Sequence, residues 1–256
     1  MNPVGRFLCS SIGRKILMAV TGVVLIGFIV GHLVGNLQIF QEPDHINGYG
    51  AFLHGLGPLL WVARIGVLVA VGVHLWAATS LTLENQRARG ADYGCKHTIQ
   101  ATAASRTMRA TGYIVLAFLV YHLAHFTLGA AQSATFKENL PRYTMQGDYR
   151  IAGFLVIKAG TAEVPDVYNM VIRGFQHPVV SACYIFAVGL LSFHLLHGID
   201  SLFQTLGCRS ARWSAALRKV ALVFCLGYFL ANLAIPGAVL LGKLQVRPPM
   251  CVAAPR

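Results

Sequence analysis

Charged residues are scarce in this chain of 256 residues. Asp, Glu, Lys and Arg make up 12% of it and only 9 residues are acidic, whereas 55% are hydrophobic. A soluble domain averages roughly 25% charged residues, so this chain has too little charge to cover a water-facing surface. The composition excludes an ordinary soluble protein and favours one that is surrounded mainly by lipid.

The six cysteines lack the spacing that would give them a chemical role. No Cys-x-x-Cys pair occurs, although iron–sulfur and thiol-redox sites commonly use that spacing. Cys183 and Cys225 fall in the middle of apolar stretches. We interpret the cysteines as small apolar packing residues. The chain also lacks interleaved basic and aromatic residues, so nothing in it predicts binding to nucleic acid.

Five stretches contain no charged residue at all: 16–41, 66–83, 110–136, 174–199 and 220–242. About 20 apolar residues cross a bilayer as a helix, and an open chain can satisfy its backbone groups in lipid only as a helix. The sequence therefore predicts an all-α integral membrane bundle that forms a single domain. We expect its five transmembrane helices at about 15–41, 57–83, 108–132, 176–206 and 216–242, with a long outer loop at about 133–175.

Lys and Arg indicate the orientation of this bundle. Twelve of them either precede the first helix or lie between helices two and three or between helices four and five, whereas the loop 42–56 has none. The positive-inside rule then places the N-terminus in the cytoplasm and the C-terminus outside. The long outer loop also carries basic residues, but long loops count less in this rule. The net charge of +12 is thus explained by topology and lipid contact.

Four histidines lie inside four different apolar segments, where an ionisable side chain is costly and marks a functional site by default. His32 and His122 each lie ten residues before the outer end of a helix, and His74 and His197 each lie ten residues before an inner end. With a rise of ~1.5 Å per residue, these positions form two levels roughly 10 Å apart. Two stacked haems, each bound by two histidines, require such an arrangement.

Two further histidines leave the choice of ligands open. His125 lies three residues after His122, and His194 three residues before His197. Residues three apart share a helix face, so either member of each couple could bind iron while the other bonds a propionate, a quinone or a backbone carbonyl. The alternative to a haem protein is a haem-free transporter. It would favour paired carboxylates, broken helices and an internal repeat, whereas only Pro236 interrupts a helix here.

Several motifs in the sequence resemble those of one family. They are "SIGRKILMAVTG" and "GHLVGNLQIF" within 11–40, "NGYGAFLHGLGPLLWVARIGVLVAVGVHLW" at 47–76, "ENQRARG" from Glu84, "FLVYHLAHF" from Phe118, and "HLLHGIDSLFQTLG" at 194–207. Together they cover nearly the whole chain, and the last is the most specific. The chain is similar to the cytochrome b558-type membrane anchor of succinate:quinone oxidoreductase (succinate dehydrogenase), in its single-chain, five-helix, two-haem form.

This resemblance implies a function and a set of partners. His32 and His122 would bind an outer haem b, and His74 and His197 an inner one. A flavoprotein subunit would oxidise succinate, and an iron–sulfur subunit would pass the electrons through this chain to a quinone, menaquinone rather than ubiquinone. The chain would lie in the inner (cytoplasmic) membrane and perform no succinate chemistry itself. A fumarate reductase, or another bis-histidine cytochrome such as that of a hydrogenase, is the alternative.

Other polar residues are candidates for supporting roles. Buried haem propionates need donors or cations. The candidates for that role or for contact with a ligand histidine are Arg64 at the outer haem, Arg14, Lys15, Thr21, Arg87, Arg89 and Arg106 at the inner one, and the spare His125 and His194. A quinone needs donors for its carbonyls. The outer candidates are Gln38, Tyr49 and His54, and the inner ones are Ser11, Arg14 and Asp200. An outer site is favoured because the outer haem would otherwise lie off the electron path.

Overall fold

The computed structural model of this chain describes residues 2–88, 102–160, 162–210 and 212–248. These residues are predominantly helical. The helices are α1 (Pro3–Cys9), α2 (Ser11–Leu37), α3 (Pro43–Gly55), α4 (Pro58–Ala88), α5 (Ala103–His122), α6 (Val167–Phe175), α7 (Pro178–Thr205) and α8 (Ser214–Leu240). A 3-10 turn, Gln38–Phe40, follows α2, and a π-helical turn, Leu123–Thr127, follows α5.

Five of these helices are long and apolar enough to cross a bilayer. They are α2 and α5 with the turns that follow them, together with α4, α7 and α8, and they contain 25 to 31 residues each. About 20 residues suffice to cross the hydrocarbon layer. Most of each helix is not buried inside the protein, as expected where lipid is the solvent. The predicted all-α fold with five membrane-spanning helices is confirmed, and the chain is a multi-pass membrane protein by this measure.

The third spanning helix departs most from its predicted bounds. It begins at Ala103 and ends with the π-helical turn at Thr127, rather than running from 108 to 132. Gly129 adopts a φ of +70°, a left-handed conformation that commonly ends helices. A Cβ at Gly129 would clash with the Phe136 ring, so this turn also requires glycine. The charge-free run extends to Phe136, but absence of charge does not by itself continue a helix.

The segments predicted as loops contain further secondary structure. Helix α3 fills the connection between α2 and α4 and begins with Pro43 at its first position, where proline is well tolerated. The long segment before α7 contains α6 and two antiparallel strand pairs. Strands β1 (Tyr143–Thr144) and β4 (Glu163–Val164) form one pair, and β2 (Tyr149–Ile151) and β3 (Phe154–Ile157) form the other. Ala152 and Gly153 link β2 to β3 with positive φ angles, as in a tight type I′ hairpin.

The chain forms two compact units, each made of three segments. The first unit contains Met1–Gly31, Trp61–Thr111 and Ser192–Gly227, and the second contains His32–Leu60, Gly112–Leu191 and Tyr228–Arg256. In the first unit, the buried Arg14 bonds to Glu84 on α4 and donates to the carbonyl of Cys9. The start of α2 is thereby fixed to the end of α4.

The second unit has an apolar core with a buried polar cluster beside it. The core contains Ile39, Ile46, Tyr168, Ile172, Phe175, Tyr184, Ile235 and Val239. In the polar cluster, Asp166 caps α6 by accepting from the Asn169 backbone N–H, and Asn47 Oδ1 accepts from the Tyr168 N–H at 2.8 Å. The Asn169 side chain exchanges two hydrogen bonds with the Arg247 backbone. These bonds connect α3, α6 and the segment after α8, and they leave the buried amide and carboxylate groups partnered.

Tyr143 lies close to the acidic residues of the same region. Burial, reinforced by the carboxylates of Asp44, Asp166 and Glu42, raises the pKa of the Tyr143 phenol above its usual range. The phenol is therefore protonated at neutral pH and hydrogen-bonds the Asp44 side chain. Asp44 also accepts from the Gln146 N–H at 2.7 Å. The strands that precede α6 are thus bonded directly to the first turn of α3.

Close packing of α3 against β2 leads to a prediction on stability. A Cβ at Gly48 would lie 2.6 Å from Cγ and 2.8 Å from Cβ of Tyr149, so the Tyr149 backbone would have to move. We expect Gly48→Ala to destabilise the second unit by about 1–3 kcal/mol, as overpacking usually does. The matched control is Gly55→Ala at the end of the same helix, where an added Cβ meets nothing within 4 Å. Thermal unfolding in detergent measures both variants, and equal stability of the two would contradict the prediction.

Candidate functional site

Two of the predicted ligands meet in the second unit. His32 on α2 and His122 at the end of α5 have ring centroids 5.7 Å apart, with ring planes at 84° to one another. His32 is surrounded by protein atoms and yet exposes much of its surface. The His32 side chain is therefore not covered completely by other side chains of the unit. His32 and His122 are called the second-unit pair below.

Aromatic residues and a second histidine surround this pair. His125 is only 3% exposed, stacks on Phe126 at 3.9 Å between ring centroids, and has Nδ1 2.9 Å from the hydroxyl of Tyr184 on α7. A Cβ at Gly174 on α6 would lie 3.0 Å from His125 Nε2. Both edges of the His125 ring are therefore closely packed. His122 is less enclosed, which makes it the more accessible ligand of this couple.

In the first unit, two histidines are held in the same way by two different helices. His74 Nδ1 lies 3.2 Å from the Thr21 hydroxyl on α2, and that hydroxyl lies 3.2 Å from the Met18 carbonyl. His194 Nδ1 lies 3.4 Å from the Thr111 hydroxyl on α5, and that hydroxyl lies 3.0 Å from the Met108 carbonyl. Each threonine follows its methionine by three residues, so the sequence Met-x-x-Thr forms both clamps.

These clamps determine which nitrogen of each ring carries a proton. A carbonyl oxygen can only accept a hydrogen bond, and each threonine hydroxyl already donates to a carbonyl of its own helix. When the hydroxyl hydrogen is engaged in this way, Nδ1 of each ring donates to the threonine oxygen, and Nε2 is left as the basic nitrogen. A metal-binding histidine commonly has this form, with the outward nitrogen fixed by a hydrogen bond.

His194 and His197 on α7 have different polar neighbours. The imidazoles of His194 and His74 are close enough to interact electrostatically. His197 interacts instead with Asp200, one turn further along α7, and Asp200 in turn pairs with Arg209 at 3.3 Å. The predicted iron ligand His197 thus lies beside an ion pair, whereas His194 contacts the Thr111 hydroxyl. His74 and His194 are called the first-unit pair below.

The donor set of each pair is suited to a haem. Two imidazoles on opposite faces of one iron have their nitrogens about 4 Å apart, taking roughly 2 Å for each metal–imidazole bond, and their ring centroids lie further apart. The ring centroids of the second-unit pair lie 5.7 Å apart, slightly closer than the roughly 6 Å that two imidazoles on one iron require. Among the described residues, no group of three or more His, Cys, Asp or Glu is placed to hold a metal ion. A haem needs only two axial ligands, because the porphyrin supplies the others.

Glycines near the histidines differ in their surroundings. A Cβ at Gly22 would lie 3.7 Å from Cε1 of His74, whereas at Gly31 and Gly72 it would meet nothing within 4 Å. At Gly198 it would approach only the end of the Met108 side chain, at 3.9 Å. Gly31 and Gly72, which neighbour His32 and His74 in sequence, thus adjoin open space.

The candidate residues for contact with haem propionates differ in their partners and in their exposure. Arg14 is occupied by Glu84, and Lys15, Arg87 and Arg106 are exposed. The Arg64 guanidinium lies over the ring of Trp61, 5.0 Å from its centroid. Arg89 lies outside the described residues. Thr21, the uncharged residue among the inner candidates, contacts His74.

The three outer quinone candidates lie at two different places in the second unit. Gln38 accepts a hydrogen bond from the Tyr149 hydroxyl at 3.4 Å, and Tyr49 packs against Gly35, where a Cβ would clash with its ring. Tyr149 is also close enough to Tyr49 to interact electrostatically. His54 is exposed, and its Nε2 lies 3.3 Å from the Lys137 ammonium. The structure therefore brings Gln38 and Tyr49 together around Tyr149 and places His54 beside Lys137.

The inner quinone candidates lie in the first unit. Ser11 is exposed at the first position of α2. Arg14 and Asp200 each form an ion pair, with Glu84 and Arg209 respectively. Arg14 and Asp200 are therefore engaged in ion pairs, and Ser11 is exposed.

Sequence reasoning did not identify Thr111, Tyr184 or Tyr149 as site residues. Thr111 and Tyr184 are hydroxyl residues in otherwise apolar runs, which is a signal that the sequence does carry. The Met-x-x-Thr spacing that the first and third histidine-bearing helices share is a further signal. Tyr149 carried no such signal, because it belongs to the segment that was predicted as a loop.

Comparison with known proteins identifies no relative. No protein-family model matches the chain, and neither a curated protein nor a solved structure matches it.

Proposed function

We propose that this chain is a di-haem cytochrome b that anchors a succinate:quinone oxidoreductase in the membrane. In this role it carries electrons from an iron–sulfur subunit through two b haems to a quinone, which the sequence resemblance implies to be menaquinone. The observation that carries the proposal is the pairing of histidines. Each unit contains two histidines from different spanning helices, and three of these four rings have Nδ1 next to a hydroxyl group.

In the proposed assignment, the second-unit pair holds one haem and the first-unit pair holds the other. His194 replaces His197 as the fourth ligand, because the Met108–Thr111 clamp orients it as the Met18–Thr21 clamp orients His74. His197 then serves as a polar neighbour of this haem, linked to Asp200. Each haem, when bound, supplies a one-electron carrier whose potential is set by its axial ligands and their hydrogen bonds.

The protein residues have three tasks in this function. The Nδ1 contacts hold the imidazole rings in place, so that little rearrangement is needed when an electron arrives. Apolar residues exclude water from the neighbourhood of the histidines and so influence the haem potentials. Separate helices supply the two ligands of each pair, so the packing of the helices determines the separation of the two imidazoles.

The first unit offers a basic surface for the partner subunits. Arg6, Lys15, Arg212, Arg218 and Lys219 are exposed there. We assign this surface, on the cytoplasmic side by the positive-inside rule, to contact with the iron–sulfur and flavoprotein subunits. A quinone site near Gln38 and Tyr49 in the second unit completes the proposal, with Tyr149 as an additional phenol and His54 outside that cluster.

The first test of this function is haem stoichiometry. Because two pairs of histidines are present, the purified complex should contain two b haems for each copy of this chain. A pyridine haemochrome assay, combined with protein quantification, measures that ratio. The reduced-minus-oxidised absorption spectrum provides a second check. A ratio of one or zero would contradict the proposal.

A further inference from the structure

We propose that Tyr184 is a positioning residue that orients His122 and sets the reduction potential of the haem at the second-unit pair. This inference rests on the proposed function, since it concerns a ligand of one of the two haems. Tyr184 lies on α7, is only 6% exposed, and directs its hydroxyl between two histidines of another helix. The hydroxyl lies 2.9 Å from Nδ1 of His125 and 3.4 Å from Nδ1 of His122.

One placement of hydrogens among His122, Tyr184 and His125 lets His122 bind a metal through Nε2. The metal-binding nitrogen of His122 must be free of hydrogen, so if Nε2 binds iron the hydrogen is on Nδ1. Tyr184 must then accept from His122 Nδ1–H and donate its own hydrogen to His125 Nδ1. The order of donation is therefore His122 to Tyr184 to His125.

The surroundings of His125 show that the chain of groups is held rigidly. His125 stacks on Phe126, and Gly174 of α6 approaches it so closely that a Cβ there would lie 3.0 Å from Nε2. Phe175 meets the Tyr184 ring edge-on at 5.0 Å between centroids. Because these rings leave Tyr184 little freedom, its hydroxyl is a fixed acceptor for His122. The buried His125 thus has a role of its own, which is to orient the tyrosine.

A hydrogen bond from Nδ1–H makes an imidazole a more basic ligand, and a more basic axial ligand stabilises oxidised iron. Tyr184 should therefore lower the reduction potential of this haem. Removing the hydroxyl should raise that potential while leaving the haem bound, because His122 keeps its Nε2. The first-unit pair, whose Nδ1 groups lie next to threonine hydroxyls, should keep its potential.

The test is a spectroscopic redox titration of the purified complex carrying Tyr184→Phe. We expect two haems per chain, with an upward shift of the potential at the second-unit pair and no shift at the first-unit pair. A His32→Ala complex, which retains only the first-unit haem, identifies which potential belongs to which pair. Tyr168→Phe is the matched control, because Tyr168 is a buried tyrosine of the same apolar core and should shift neither potential.

Each outcome of this titration has a distinct meaning. Unchanged potentials in Tyr184→Phe, or a shift confined to the first-unit haem, would overturn the inference. A wild-type complex without haem would instead overturn the proposed function. If Tyr184→Phe does not assemble, His125→Gln decides the question: it removes the ring that accepts from Tyr184, so the potential of the second-unit haem should shift. An unchanged potential in that variant would also overturn the inference.

Discussion

Replacing either His32 or His122 with alanine should remove one of the two haems and leave the other bound. Each iron needs both axial ligands for stable six-coordinate binding, and these two rings lie 5.7 Å apart in the same unit. We expect the haem content to fall to about half of the wild-type value in either single variant. The double variant should have the same haem content as each single variant. Pyridine haemochrome analysis measures the content, and the redox titration shows which potential is missing.

The control for this experiment is His125→Gln, which changes the neighbouring histidine of the same helix. His125 is enclosed by Phe126, Tyr184 and Gly174, so its loss should leave two haems bound. Glutamine keeps a polar group at this position, which limits the disturbance of the packing. Loss of a haem in His125→Gln together with its retention in His122→Ala would show that the ligand of this couple has been assigned wrongly.

Replacing His194 with alanine should remove the haem of the first unit, whereas replacing His197 should leave it bound. The reason is geometric. The Thr111 hydroxyl lies 3.4 Å from His194 Nδ1, which leaves Nε2 available, whereas His197 neighbours the Asp200–Arg209 ion pair. We expect about half of the haem content in His194→Ala and in His74→Ala, and full content in His197→Ala.

The family resemblance assigned this ligand to His197, so the experiment decides between two explicit assignments. Full haem content in His194→Ala and half content in His197→Ala would restore the assignment made from the sequence. Low-temperature electron paramagnetic resonance provides a check that does not depend on the haem assay. It should show two low-spin haem signals in His197→Ala and one in His194→Ala.

The two couples differ in how much their surroundings contribute to the choice of ligand. For His122 and His125, the resemblance and the packing favour the same residue, because His125 is tightly enclosed. For His194 and His197 they favour different residues. Members of each couple lie on the same face of a helix, so the periodicity of the sequence treats them as equivalent. Only partners on other helices, here Thr111 and Tyr184, distinguish one ring from the other.

The sequence by itself determined the five spanning helices and the presence of histidines within four of them. Length and apolarity are local properties, and transfer into lipid depends on them almost additively along the chain. Tertiary structure decided where α3, α6 and the strand pairs form, because short segments of mixed polarity are stabilised by contacts such as Asn47 with Tyr168 rather than by their own pattern. It also placed Thr21 beside His74 and Thr111 beside His194, since hydrogen bonds between helices depend on positions that no single helix encodes.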